Sequence, residues 1–569
     1  MTDTVSSPAM LARLLGPLLP LFSLPRLLLL TLLLLLPALN NTFFGDDFHH
    51  HAQLNGHADF LHSDDLSLFN LFSFVDDNPQ RRQLLQNHSL LPWWAGEQFS
   101  WKFWRPVTEL SLYADYVWLR YPPLMHLHSI AWYLALIVLL HRLFCTLFSC
   151  QRTALLASAL FALNGAHGML VGWLCSRSPL LACFFAVLTL LLHRRAITAG
   201  QPLLQLAAVA CLALSLLSAE IGLSTTAWLF AWAMFIDRRR LLARLLSLLP
   251  YAVLVIAWWS VYKSAGFGVS GSNDFYLEPL SQPAAYLQQL AGHMPTLLFS
   301  QWLAIPSDLL GQGPAASVAI SGGLASLGLL WLLYRHARQP RLLLFFACGA
   351  LLSMFPLAST ALQDRNVVFV SLGFAGILAL AISQLWQSLQ QHGSSLRSSA
   401  LAGLLALHFV LSPLVLLVME KSPSWLAEPA LRRAAALDYQ PQQPLVIIGA
   451  PAMEVAYLAP SLLYLNGSMP VRLWNLVGNQ QDFHIALVDD YTLQLSSSEG
   501  LISRPEQFVR DLALEPFQAG DRIDLDGLQI DILAVNTAGQ PLQLAYRFAR
   551  PLAGQQLVRW SRRGYQALT

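Results

Sequence analysis

Two adjacent carboxylates, Asp46 and Asp47, stand where a leucine-rich run ends, in LPALNNTFFGDDFHHHAQLNG (36–56). Placing charge near hydrocarbon costs about 2.5–3.5 kcal/mol on insertion scales, so acids at such an edge need a reason. Further along come Arg105 in FWRPVTELSLYADY, His167 and Arg177 in LFALNGAHGMLVGWLCSRSPLLA, Glu220 between two apolar runs, and Asp364 and Arg365 in DRNVVFVSLGF. A carboxylate can take the proton of an acceptor hydroxyl, and an arginine can hold a phosphate leaving group with two parallel N–H bonds. These residue types at apolar edges therefore suit group transfer from a phosphate-bearing donor. Each also has a plainer role: the acids as a helix cap, the arginines as interface residues, His167 as a packed, hydrogen-bonded core residue.

The run His49–His51 beside the acid pair invites a metal reading. Adjacent histidines on one short segment rarely converge on a single ion, and no CxxC pattern exists, so no metal site is expected. No cofactor is called for, and a divalent cation stays an open alternative. The six cysteines (145, 150, 175, 183, 211 and 348) lie in or beside apolar runs, which leaves no disulfide framework for exposed parts.

The elements that must position these residues are membrane spans. Of 569 residues, 55% are hydrophobic and 12% charged, with a mean hydropathy of +0.49. A soluble domain carries about twice that charge. Apolar runs predict eleven spans: 27–45, 123–141, 153–173, 178–193, 203–218, 220–236, 246–262, 317–334, 342–361, 366–386 and 399–419. With a cytoplasmic N-terminus, the inside segments hold Arg13, Arg26, Arg142, Arg152, Arg194, Arg195, Arg238, Arg239, Arg240, Arg244, Arg335, Arg338, Arg341 and Arg397. The short outside loops then keep little beyond Arg177, Lys263 and Arg365, as the positive-inside rule requires. An odd span count puts the C-terminal tail outside, and every candidate site residue falls on that face. The expected architecture is a polytopic α-helical membrane domain over 1–420, with a first outside loop at 46–122 and a second at 263–316. A small β-rich extracytoplasmic domain over 421–569 follows, read from strand-like runs such as PLVIIGAP and DRIDLDGLQIDILAV. Loop one, dense in tryptophan, is expected as short helices on the outer leaflet. The cysteine-poor, leucine-rich style suits a bacterial inner membrane with a periplasmic C-terminal domain.

The ordered blocks GDDFHHH, FWRPVTELSLYADY, LFALNGAHGMLVGWLCSRSPLLA, LSLLSAEIGLS and DRNVVFVSLGF resemble the multispan glycosyltransferases of the GT-C type. The nearest likeness is to the protein O-mannosyltransferase-like branch that carries tetratricopeptide tails. Positions matching that family's motifs are Asp46 and Asp47; Arg105 and Pro106; His167, Trp173, Arg177, Leu180 and Leu181; Ser218 and Glu220; and Arg365, Ser371, Leu372 and Gly373. The sequence departs from the pattern at Asn164–Gly165 (His-Pro in the family), Met169 (glutamate) and Ala219 (lysine), and a β-rich region stands in place of the tail. The resemblance implies an inverting transfer of a sugar from a polyprenyl-phosphate carrier to a hydroxyl outside the cytoplasm. On that expectation Asp46 and Asp47 are the catalytic acids, Arg177 and Arg365 bind the donor phosphate, and Arg105, His167 and Glu220 support them. The acceptor stays open between protein, glycan and lipid; no nucleic acid is involved. A lipid or glycan transporter, or a non-catalytic subunit of surface-polysaccharide assembly, is the competing reading. A transporter predicts midplane charges and repeated interrupted spans, which the runs between 317 and 419 lack.

Overall fold

The computed structural model describes residues 23–55, 68–273, 276–310, 315–391, 394–478 and 482–568. Arg13, and residues 56–67 of loop one, lie outside the described residues. The protein is a polytopic α-helical membrane protein with a β-rich C-terminal part. Among the described residues seven helices are long and apolar enough to span a bilayer: Pro122–Leu147, Leu174–Ala199, Leu241–Ser264, Ser317–Arg335, Pro340–Leu357, Val368–Gln391 and Ser395–Ala435. A helix pair bent by 52°, Gln151–Ala162 with Gly165–Gly172, and three shorter apolar helices, Leu24–Asn40, Pro202–Leu216 and Glu220–Ile236, join them. Each of the eleven expected spans coincides with one of these.

The bend has a local cause. Asn164 caps the second half of the pair, its side-chain oxygen accepting from the Ala166 N–H at 3.0 Å, and such a cap starts a new helix rather than continuing the old one. Glycine then permits close packing there. A Cβ on Gly172 would lie 2.0 Å from the Glu420 carbonyl oxygen, and one on Gly168 2.5 Å from the Glu420 nitrogen. Small residues are how membrane helices bring their backbones together.

The last span is 41 residues long. At 1.5 Å per residue that is about 60 Å, roughly twice the hydrocarbon thickness. It therefore serves both as a span and as a stalk into the C-terminal part. The boundary expected at 420 falls inside this helix.

Strands β1 (Ser73–Val75), β2 (Ser100–Lys102) and β3 (Gly268–Ser270) form a small sheet in that order, so the two long loops are hydrogen-bonded to each other. The C-terminal part carries two sheets. One has the order β6-β7-β10-β9-β8 and is antiparallel: β6 His484–Asp489, β7 Thr492–Ser496, β8 Arg522–Leu525, β9 Leu528–Val535 and β10 Pro541–Phe548. The other has the order β12-β11-β4-β5, from β4 Leu445–Ile448, β5 Leu473–Asn475, β11 Gln556–Ser561 and β12 Gly564–Ala567. Here β4 pairs in parallel with β5 and β11, and the helix Ala452–Asn466 supplies the β4–β5 crossover.

Loop one corrects an expectation. Its tryptophans Trp93 and Trp94 are not interfacial anchors. Both are buried, in one apolar core with Val446, Ile448, Trp474, Ile530 and Tyr546 of the C-terminal part. Their indole N–H groups donate to the Leu476 and Glu506 carbonyls, at 2.8 and 3.0 Å. An indole N–H that finds such an acceptor avoids the cost of an unmade hydrogen bond on burial. Loop one and the C-terminal domain thus share a core.

Candidate functional site

The approach to Asp46 is fixed before the residue itself. The Asn41 amide donates to the Gly172 and Glu420 carbonyls, at 2.9 and 2.7 Å, and its oxygen accepts from Lys421 Nζ at 2.6 Å. This ties the end of the first span to the bent pair and to the stalk. Four residues on, Gly45 turns the chain at φ +54° and ψ −120°, a conformation in which a side chain would be strained. The helix Asp46–Leu54 starts there.

The two acids then part company. Asp47 is wholly buried, and its oxygens accept from the backbone N–H groups of Cys175 and Phe44, at 3.0 and 3.2 Å. Burial raises its pKa to about 8, against the opposing pull of those two N–H groups. It staples the start of the helix to the bend before Arg177 and lines neither cavity described below. Asp46 is half-buried and accepts from the Tyr457 hydroxyl at 2.9 Å, with the Cys175 thiol 3.5 Å from its other oxygen.

Asp46 lies on the walls of two cavities. The larger, about 1630 Å³ out to its open mouth, is shared by loop one, loop two and the outer ends of several spans. Trp258, Trp259, Tyr262, Phe267, Leu277 and Phe355 give it an apolar wall. Three cations face it. Arg105 is paired with Glu220 at 2.6 Å and lies 4.3 Å over the Phe103 ring. Lys263 is paired with Glu278 at 2.7 Å. Arg365 stacks 4.4 Å over the Trp173 ring and donates Nε to Gln363 Oε1 at 2.9 Å. Among the described residues, no carboxylate oxygen comes within salt-bridge distance of Arg365. A stacked guanidinium with its terminal nitrogens uncommitted to an acid is suited to an anionic ligand. The smaller cavity, a narrow cleft of about 720 Å³ counted out to its open mouth, lies on the other side of Asp46, between loop one and the helix Ala452–Asn466; His49, Phe74, Trp101 and Tyr457 are on its wall.

The remaining expected residues divide. Arg105, Glu220 and Arg365 are brought together with Asp46 around the larger cavity. Arg177 is not. Its guanidinium is fully buried 2.6 Å from Asp115 and donates to Ser129 Oγ, Ser111 Oγ and the Met125 carbonyl, at 2.8, 2.9 and 2.9 Å. Its donors are spent inside the protein, and it lines neither cavity. His167 is also withdrawn, buried with Nδ1 2.9 Å from the Tyr133 hydroxyl, and reaches neither cavity. Among the described residues no group of three or more metal-ligating side chains converges.

Sequence reasoning missed Tyr457, Lys263 and Asp115. Lys263 was visible as a lysine directly following an apolar run. Asp115 was visible as an acid in the motif that carries Arg105. Tyr457 had no local signal, because it lies 411 residues from its partner.

No protein-family model and no curated protein sequence matches the chain. Among solved structures, it is similar to the crystal structure of ArnT from Cupriavidus metallidurans bound to undecaprenyl phosphate. The identity is 13% and the TM-score 0.37, over 91% of this chain and 97% of that one. The apo state of the same protein gives 14% and 0.32 over the same shares. Neither carries the name of the O-mannosyltransferase-like branch. With overlap this low, the site's own residues must decide its chemistry.

Proposed function

We propose that the protein is a membrane glycosyltransferase that moves a sugar from a polyprenyl-phosphate carrier to an acceptor hydroxyl on the extracytoplasmic side, with Asp46 as the base. The observation that carries this reading is the position of Asp46 on a wall common to two cavities. A transfer between two substrates needs one group reachable from both. The larger cavity suits the donor: aromatic and aliphatic side chains for a prenyl chain, and Arg365 for its phosphate. It opens beside the helix Leu241–Ser264, whose Val253 and Ile256 are exposed and apolar, as a face toward lipid would be. The smaller cavity suits the acceptor.

In the step itself, the Asp46 carboxylate takes the proton of the acceptor hydroxyl as that oxygen bonds to the anomeric carbon. The bond from that carbon to the phosphate oxygen breaks with its electron pair, and polyprenyl phosphate leaves against Arg365. Displacement from the face opposite the phosphate inverts the anomeric centre. Arg105 and Glu220 neutralise each other and hold the cavity wall.

The test supplies undecaprenyl-phosphate sugars to purified protein and measures released undecaprenyl phosphate. Asp46→Asn is nearly isosteric and should lower turnover by about 10² to 10⁴, the usual share of a general base, with membrane insertion intact. Full activity in that variant would remove Asp46 from the mechanism. Absence of any transfer by the parent protein, with any acceptor class, would favour the transporter reading.

A further inference from the structure

The C-terminal domain reaches into the site through a single helix. Ala452–Asn466 lies against the helix Asp46–Leu54, and two of its tyrosines, seven residues and so two turns apart, share the contact face. Tyr464 packs its ring 5.1 Å from Phe43, 5.8 Å from Phe48 and 5.2 Å from His51. Tyr457 packs 5.4 Å from the His49 ring and against Gly45, where the turn leaves no side chain in its way. Its hydroxyl ends 2.9 Å from Asp46 Oδ1. The helix is itself pinned: the buried Glu506 carboxylate accepts from the Ala452 N–H, at 3.1 and 3.2 Å, at its first residue.

We infer that Tyr457 is a positioning residue, which fixes the Asp46 carboxylate from the C-terminal domain so that its other oxygen faces the reacting groups. This rests on the glycosyltransferase reading of Asp46. A carboxylate at the first position of a helix can rotate, and both cavities are open to it. A phenol donating to Oδ1 removes that freedom and commits one oxygen, while Oδ2, which meets only the weakly donating Cys175 thiol at 3.5 Å, keeps a lone pair for the acceptor proton. The bond is charge-assisted, the stronger class of hydrogen bond. It also makes the site incomplete without the C-terminal domain, although the large cavity is formed by the loops and spans.

Tyr457→Phe removes the hydroxyl and keeps the ring that packs on Gly45 and His49. The expected result is a fall in kcat of about 10- to 100-fold, the worth of one charge-assisted bond. The KM for the undecaprenyl-phosphate sugar, the affinity for undecaprenyl phosphate alone and the thermal unfolding midpoint in detergent should stay at the parent values. A purely structural tyrosine would move the midpoint or both kinetic constants. In the Asp46→Asn background the same substitution should add less than about twofold, since residues acting as one unit are not additive. A Tyr457→Phe protein with parental kcat would overturn the positioning role while leaving Asp46 as base. A parental kcat in Asp46→Asn would overturn the base, and the positioning role with it.

Discussion

Arg177 and Asp115 face each other at 2.6 Å with no exposure to solvent on either side chain. Both stand in motifs that read as catalytic, yet the pair is a brace. Asp115 also accepts from His128 Nδ1 at 2.7 Å, and Arg177 reaches Ser129 and Met125, so one cluster joins the end of loop one to two spans. Removing one partner strands the other charge. Arg177→Ala or Asp115→Ala should therefore cost about 3–5 kcal/mol, the usual penalty for breaking a buried pair. The double substitution should cost far less than the sum. Thermal unfolding of the three detergent-solubilised variants checks this, and a neutral single substitution would contradict it.

Arg365 has the opposite profile, with an aromatic platform and no acid partner among the described residues. Arg365→Lys keeps the charge and loses the planar fork. Affinity for undecaprenyl phosphate should fall by about tenfold, the equivalent of ~1.4 kcal/mol. The unfolding midpoint should hardly change. Titration of the purified variant with undecaprenyl phosphate measures it; unchanged affinity would place the phosphate elsewhere.

Asp47 predicts a pH effect on stability rather than on catalysis. Its pKa in the folded protein is raised from 3.8 to about 8 by burial. Between those values the folded state holds a proton that the unfolded chain has released, so the stabilising share present at low pH is lost as pH rises through that window. Asp47→Asn cannot ionise, and its unfolding midpoint should fall less between pH 5 and 8, roughly the interval the linkage spans, than that of the parent. Parallel midpoint curves would show that Asp47 is ionised in the fold.

The sequence made the membrane architecture legible because long apolar runs have few alternatives in a bilayer. The C-terminal strands were legible too, from the continuous apolar run in PLVIIGAP and the alternation in DRIDLDGLQIDILAV. The parallel pairing of β4 with β5 and β11 was not, since neither strand's pattern names its neighbour. Charge type alone could not separate Arg365 from Arg177. Both end an apolar run, and only the fold shows that Asp115 lies against one of them. Trp93 and Trp94 misled for a related reason: tryptophan density signals an interface until a second domain supplies carbonyls for the indole N–H groups. The Tyr457–Asp46 bond spans 411 residues and leaves no mark on either local stretch.

Topology makes the last prediction. The arginine distribution predicts that the Asp46 helix, loop two and the C-terminal domain share the extracytoplasmic side. The structure adds a constraint that any topology must obey, because loop one and the C-terminal domain share a core and cannot face opposite compartments. Asp524 is exposed on β8 and suits a reporter cysteine. Cys150, the exposed native cysteine, lies between two spans on the face expected inside. In intact cells, an impermeant thiol reagent should label Asp524→Cys in a Cys150→Ser background, and the parent's Cys150 should stay unlabelled until the membrane that holds the protein is permeabilised. Labelling in the reverse order would put the site on the cytoplasmic side, where it could not meet a donor presented at the outer leaflet.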